Sequence, residues 1–231
     1  MKRALWLALV TIGLSFSDAA GQAVSDLKVT VFGGGSFAGM SRTFTVDDAD
    51  DFYTTDFRSG PKIGVRVGKG LSDRWALEGA YSYGRNNLRV VEMQAPGETR
   101  IFKMTNQQVS GNAMLYAGVG EDWKPFVTGG LGFTRFNPTQ EAMALATVRF
   151  LDNSTQIQAD SKWTVNFGGG AEFGVSDSIG IRADLRDHMT QIPRFGIRPT
   201  SDGSGSGFYP VTGWGHTLEF SVGVVFSIPL R

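Results

Sequence analysis

Along residues 27–229 apolar and polar side chains alternate with a period of two, and the i, i+3, i+4, i+7 spacing of a helix is scarce. Eight runs carry the alternation: residues 27–40, 60–70, 75–91, 107–119, 124–136, 162–175, 179–188 and 216–229. In the second, Ile63, Val65 and Val67 share one face, and Lys62, Gly64, Arg66 and Gly68 the other. The third sets Trp75, Leu77, Gly79, Tyr81 and Tyr83 against Ala76, Glu78, Ala80 and Ser82. The seventh sets Ile179, Ile181, Ala183 and Leu185 against Gly180, Arg182, Asp184, Arg186 and His188. The eighth sets Leu218, Phe220, Val222, Val224, Phe226 and Ile228 against Thr217, Glu219, Ser221, Gly223 and Ser227. Each run predicts a strand with one apolar and one polar face.

The connections between runs alternate in length. Residues 71–74, 120–123 and 176–178 are tight turns of Ser, Asp and Gly type, whereas 41–59, 92–106, 137–161 and 189–215 are long. Short and long connections in strict alternation are the layout of an up-and-down barrel in an outer membrane, with short periplasmic turns and longer outer loops. The predicted fold is therefore all-β: an eight-stranded antiparallel up-and-down transmembrane β-barrel, with both ends of the mature chain on the periplasmic side. Within the third long connection, residues 146–151 and 155–158 around Asp152-Asn153-Ser154 read as a hairpin.

The polar face decides between a barrel in lipid and one in water. It carries Arg66, Glu78, Glu172, Arg182, Asp184, Arg186 and Glu219, both signs mixed. Such a set is a costly dry core for a soluble, lipocalin-like barrel, whose interior should be apolar. Turned inward in a lipid-facing barrel, the same residues pair with one another and plug the lumen. The aromatic residues follow suit, since Trp and Tyr collect at both membrane surfaces. Trp75 and Trp123 fall at short-turn ends, while Tyr81, Tyr83, Phe136, Trp163 and Trp214 fall toward long-loop ends, so two girdles are expected.

The first residues set the compartment. Lys2 and Arg3, the short apolar run 5–16 and the small residues Ala19, Ala20, Gly21 and Ala23 have the three-part layout of a secretory signal peptide, with cleavage expected after Ala23 and Ala19 or Ala20 as alternatives. Removing residues 1–23 from 231 leaves 208, a single barrel domain spanning 24–231. Lys plus Arg and Asp plus Glu are both 22, so there is no basic field for nucleic acid. Cysteine is absent, which excludes a disulfide framework and a lipid-modified cysteine. The 31 glycines lie inside the alternating runs and mark strand curvature and close backbone approach.

The stretches 67–83 (VGKGLSDRWALEGAYSY, with tyrosines at 81 and 83), 124–133 (KPFVTGGLGF) and 174–186 (GVSDSIGIRADLR) resemble the outer-membrane β-barrel domain family of OmpA-like and OmpX-like barrels. The likeness covers nearly all of the mature chain as a pattern of strand, turn and glycine, and it implies eight strands around a small, plugged, polar lumen. The family commonly ends in an aromatic residue read by the barrel-assembly machinery. This chain departs from that, ending Phe226-Ser227-Ile228-Pro229-Leu230-Arg231, although Phe226 and Ile228 keep the outward pattern. The peptidoglycan-binding domain that often follows an OmpA-like barrel is not expected after the last strand.

Candidate chemistry is sparse. The histidines, His188 and His216, lie at the outer ends of adjacent strands, near Asp184 and Asp187, where a lipid-modifying barrel enzyme would hold a catalytic cluster. Strand parity sends His188 into the lumen and His216 outward, so no catalytic residues are assigned. The acidic run Asp47, Asp48, Asp50, Asp51 lacks the spacing and glycine of a calcium loop and reads as a solvated acidic loop, with cation-bridged contact to lipopolysaccharide as the alternative. Residues 201–207 form a Gly-Ser tract, with Phe208 and Tyr209 as aromatic tips behind it. The triplets 33–35 and 168–170 are strand bends rather than phosphate cradles. No cofactor and no metal are expected. The partners expected are outer-membrane lipids and lipopolysaccharide, the assembly machinery during insertion, and an extracellular partner met through the long loops. A structural, adhesion-like role leads; a narrow small-solute pore and a lipid-modifying enzyme are the alternatives.

Overall fold

The computed structural model describes residues 27–45, 52–92, 99–117, 123–149, 157–200 and 209–229. The predicted signal segment, the acidic run at 47–51, the turn residues 120–122 and the Gly-Ser tract with Phe208 lie outside them. In chain order the elements are β1 (Leu27–Ala38), β2 (Ser41–Thr45), β3 (Phe52–Phe57), β4 (Gly60–Gly70), β5 (Trp75–Arg85), β6 (Leu88–Glu92), β7 (Thr99–Phe102), β8 (Met104–Tyr116), β9 (Trp123–Pro138), α1 (Gln140–Arg149), β10 (Asp160–Gly174), β11 (Ile179–Gln191) and β12 (Trp214–Ile228).

Eight of these strands close on themselves as an antiparallel barrel, in the order β1-β12-β11-β10-β9-β8-β5-β4. Alternation in sequence becomes alternation in exposure. Val31, Ile63, Leu77, Leu131, Phe167, Leu185 and Phe220 are exposed on the outside, while Thr30, Arg66, Glu78, Asn112, Arg182 and Ser221 are buried inside. This is the inverse of a soluble barrel, and it identifies lipid rather than water as the solvent of the outer wall.

At one end the strands meet through residues 71–74, 117–122 and 175–178. Ser72 and Ser176 tighten two of these turns: their Oγ atoms accept the backbone N–H of Trp75 and Ile179, each at 3.2 Å.

The other end holds structure that the alternation alone does not predict. The first two long connections pair into a four-stranded sheet in the order β2-β3-β6-β7. The predicted run 75–91 is in fact two strands, because the chain leaves the barrel after Arg85 and residues 88–92 join this outer sheet. The predicted hairpin in the third connection is also corrected, since residues 146–149 lie in α1. The segment from Gln140 through Ala146 is rich in strong helix formers. Thr139 caps it, its Oγ1 accepting the Ala142 N–H at 3.3 Å, and Glu141 sits in the first turn, where the helix dipole favours an anion. Of the other arm of that hairpin, Ile157 is buried and the Gln158 N–H donates to the Phe195 carbonyl; 150–156 lie outside the described residues.

An apolar core joins the long connections to the barrel mouth. Met40, Phe57, Leu88, Phe102, Met104, Phe136, Ala142, Ile157 and Phe195 are buried together there. Phe136, expected in the outer girdle, belongs to this core instead: it shares the inward parity of Phe126, Thr128 and Thr134 and packs on Phe57 with ring centroids 5.6 Å apart. Tyr209 is likewise no free tip. It is buried with Ile192 and Val211, and its hydroxyl lies 3.3 Å from that of Thr55.

Candidate functional site: a charged lumen beneath an apolar cap

Inward parity on β4, β5, β10, β11 and β12 brings all seven predicted lumen residues into one buried cluster. Asp184 is its centre. Its Oδ2 accepts from Arg66 Nη1 at 3.0 Å and Arg182 Nε at 2.9 Å, and its Oδ1 from Arg182 Nη2 at 2.9 Å and Arg186 Nη2 at 3.0 Å. Glu78 bridges the same arginines from the opposite side, taking Arg182 Nη1 at 2.7 Å and Arg186 Nη2 at 2.9 Å. Glu219 takes Arg66 Nη2 at 2.9 Å. Glu172 lies 3.6 Å from Arg182 and also receives the Tyr116 hydroxyl and Lys28.

Lys62, which was placed on the polar face but not among the network residues, completes the set. Its Nζ lies 2.5 Å from Glu219 Oε2 and donates to Gln108 Oε1 at 2.7 Å. The buried cations Lys62, Arg66, Arg182 and Arg186 thus stand against the carboxylates Glu78, Glu172, Asp184 and Glu219, with the half-buried Lys28 a fifth cation at Glu172. Buried charges survive only when so matched, because an unpaired one retains its full desolvation penalty. His188 closes a ring here. Gln108 spends its carbonyl on Lys62, so its amide donates to His188 Nδ1 at 2.8 Å, and the proton on Nε2 points to Glu219 Oε2 at 3.2 Å. Parity at positions 62, 108 and 188 was the available signal for these members.

Two aromatic rings lie flat on this network. Phe32 faces Gly64 on one neighbouring strand and Gly223 on the other, and its ring stacks on the Arg66 guanidinium at 3.7 Å. A Cβ at Gly64 would come within 2.5 Å of that ring and closer still to the Tyr81 carbonyl, so the glycine is what admits it. Phe126, opposite Gly170, stacks on Arg182 at 4.4 Å. Both contacts are cation–π pairs.

Between the network and the apolar core lies a small cavity of about 20 Å³, lined by Lys62, Gln108 and His188 below and Met40, Phe57 and Phe136 above. It is sized for water. His216 points outward, as parity predicts, and its Nδ1 lies 2.7 Å from Asp187 Oδ2. The two histidines therefore stand on opposite faces of the wall and form no shared cluster.

On the outer wall Trp75, Trp123, Trp163, Trp214 and Tyr81 are exposed and Tyr83 partly so. Trp75 and Trp123 stand at the short-turn end, Trp163 and Trp214 at the other; Tyr81, opposite Val65 and Val109, is nearer mid-strand. From Trp75 to Tyr83 the strand rises about 26 Å, or about 20 Å along the barrel axis after tilting. That is close to the height of an outer-membrane apolar band.

Residues 6–226 match the family model for the outer membrane protein beta-barrel domain. The chain belongs to that family. Members of the outer-membrane barrel family with solved structures share its fold at low identity. The outer membrane protein OprG of Pseudomonas aeruginosa is 10% identical, with a TM-score of 0.56 over 90% of this chain and 99% of that one. The outer membrane protein AlkL, solved in lipid bilayers, is 13% identical, with a TM-score of 0.52 over 93% and 95%. Neisserial surface protein A is 12% identical, with a TM-score of 0.50 over 90% and 100%. No curated protein sequence matches the chain. As an outer-membrane barrel, this protein resides in the bacterial outer membrane.

Proposed function

We propose that this outer-membrane barrel is a surface-interaction protein with a closed lumen, meeting an extracellular partner through the folded structure on its long connections. The observation that carries the reading is double closure. The matched charges from Glu172 to Glu219 fill the bore, and the apolar core from Met40 to Phe195 covers its outer mouth. Eight strands leave only enough room for side chains. The outer sheet presents a separate exposed face, with Ile101 beside the Arg89–Asp56 ion pair at 2.8 Å, a pairing that raises the Arg89 pKa.

Single-channel recording in planar bilayers tests closure: the expected trace is flat, and a stable large conductance from wild-type protein removes the reading. The second reading, a narrow pore, draws on the water-sized cavity between network and cap. It requires that deleting cap residues such as Phe136 produce conductance while the charges stay in place. A catalytic role is not proposed, because His188 is bonded on both ring nitrogens within the lumen and His216 faces away from it. Export through a signal at 1–23 is part of the proposal, and the N-terminal sequence of protein recovered from outer membranes, expected to begin at Val24, tests it.

A further inference from the structure

Outward-facing charge on the described barrel strands is confined to a few positions. Lys69 lies near the short-turn end, Asp187 and His216 pair with each other on β11 and β12, and Arg85 and Arg135 stand at the long-connection ends of β5 and β9. The two arginines share one wall. Arg135 lies opposite Gln107 of β8, which lies opposite Tyr83 of β5, two residues from Arg85. Strand spacing and rise put the two Cα atoms about 12 Å apart, within the joint reach of two extended guanidinium side chains. Arg85 has no partner among the described residues, and Arg135 donates from Nε to Asn137 Oδ1 at 3.0 Å, which leaves its terminal nitrogens for a ligand.

Immediately toward mid-strand the same wall turns apolar and aromatic. Val109, Leu131, Phe133 and Trp163 are exposed there, with the Phe133 and Trp163 rings 3.9 Å apart. A strip with two guanidinium groups whose terminal nitrogens are free at its head and exposed apolar side chains below has the polarity of one outer-leaflet lipid.

We propose that Arg85 and Arg135, with Gln107 between them, bind the headgroup phosphates of a lipopolysaccharide whose acyl chains lie along Val109, Leu131, Phe133 and Trp163. A guanidinium matches a phosphate with two parallel N–H donors, so two of them fix a phosphorylated headgroup at the interface. The apolar strip selects a lipid over free phosphate. On the opposite side, Asp187 makes the β11–β12 wall the wrong sign for the same headgroup. The proposal rests on the membrane placement of the barrel, which the gel-mobility shift described below tests separately.

The full chain is folded into phosphatidylcholine nanodiscs containing phosphorylated lipopolysaccharide, the same lipopolysaccharide after enzymatic dephosphorylation, or no glycolipid with inorganic phosphate in the buffer. Lipid retained on the protein is read by native mass spectrometry. The expected result is retention of the phosphorylated form only, weakened about tenfold by Arg85→Ala or Arg135→Ala and about a hundredfold by both. Arg135→Lys should lose less than Arg135→Ala, and Asp187→Asn should change nothing. Equal retention of the dephosphorylated lipid, undiminished retention by the folded double variant, or equal retention of inorganic phosphate in the discs without glycolipid each overturns the proposal. The wild-type comparison of the two glycolipids decides it even if a variant fails to fold.

Discussion

Asp184→Asn removes one negative charge from a site where three guanidinium groups converge, with almost no change of shape. The aspartate accepts five hydrogen bonds of 2.9 to 3.2 Å from Arg66, Arg182 and Arg186. Breaking a buried ion pair from one side costs about 3–5 kcal/mol. Arg182 and Arg186 keep Glu78, and Arg66 keeps Glu219, so the loss should stay within that range rather than multiply by three. The remaining cations repel one another by a few kcal/mol at an effective dielectric near 20, which water entering the lumen lessens. The expected destabilisation is therefore about 3–4 kcal/mol, read as the shift in urea unfolding of the folded protein in detergent micelles. Arg66→Met in the same background restores the balance, and the double variant should recover at least 1 kcal/mol relative to the sum of the singles. A loss under 1 kcal/mol for Asp184→Asn, or strict additivity in the cycle, refutes the view of the lumen as a charge-matched plug.

Three further outcomes are expected. Unboiled protein should run faster than boiled protein on a denaturing gel and show β-dominated circular dichroism in micelles, since a closed barrel leaves no strand edge to fray; protein that is monodisperse and folded in plain buffer contradicts this. Phe136→Ala should cost about 3–5 kcal/mol locally, read as faster proteolysis of the long connections while the barrel band still shifts on the gel, because the residue fills the apolar cap. Gly64→Ala should destabilise the barrel by more than 2 kcal/mol, by driving the Phe32 ring off Arg66, whereas Gly111→Ala, with open space at its Cβ, should be close to neutral in the same unfolding assay.

The barrel was legible because period-two patterning is a direct record of which face meets lipid. Residues from Lys62 to Val67 and from Ile179 to His188 name their own sides, so inward parity alone collects Arg66, Arg182, Asp184 and Arg186 in one bore. The cap was not legible for a reason of scale. Its strands are short, down to the four residues of β7, so no local period accumulates, and the pairing of β3 with β6 that joins the two hairpins into one sheet links segments more than 30 residues apart. Leu88 to Glu92 continued the alternation of β5 and hid the change of sheet, of which the turn-favouring pair Asn86 and Asn87 is the local sign. The helix at Gln140–Arg149 was legible in principle, through Thr139 as cap and the alanine-rich run after it, but the β-branched pair Thr147 and Val148 reads equally well as strand. Phe136 continued a strand whose apolar residues, Phe126 apart, face out, and its packing on Phe57 shows that the inward side turns apolar at that height.

The apolar cap draws a buried side chain from every long connection: Met40 and Phe57 from the first, Leu88 and Phe102 from the second, Ala142 and Ile157 from the third, Phe195 from the fourth. Surface loops on a rigid scaffold ordinarily drift apart independently, since each touches only solvent. Here they are held in common, and an insertion that lengthens one connection displaces the packing of the other three. Sequence change is then left a narrow repertoire: substitution at outward positions, such as Asp56, Arg89 and Ile101, on a framework whose interior must change in concert or stay as it is.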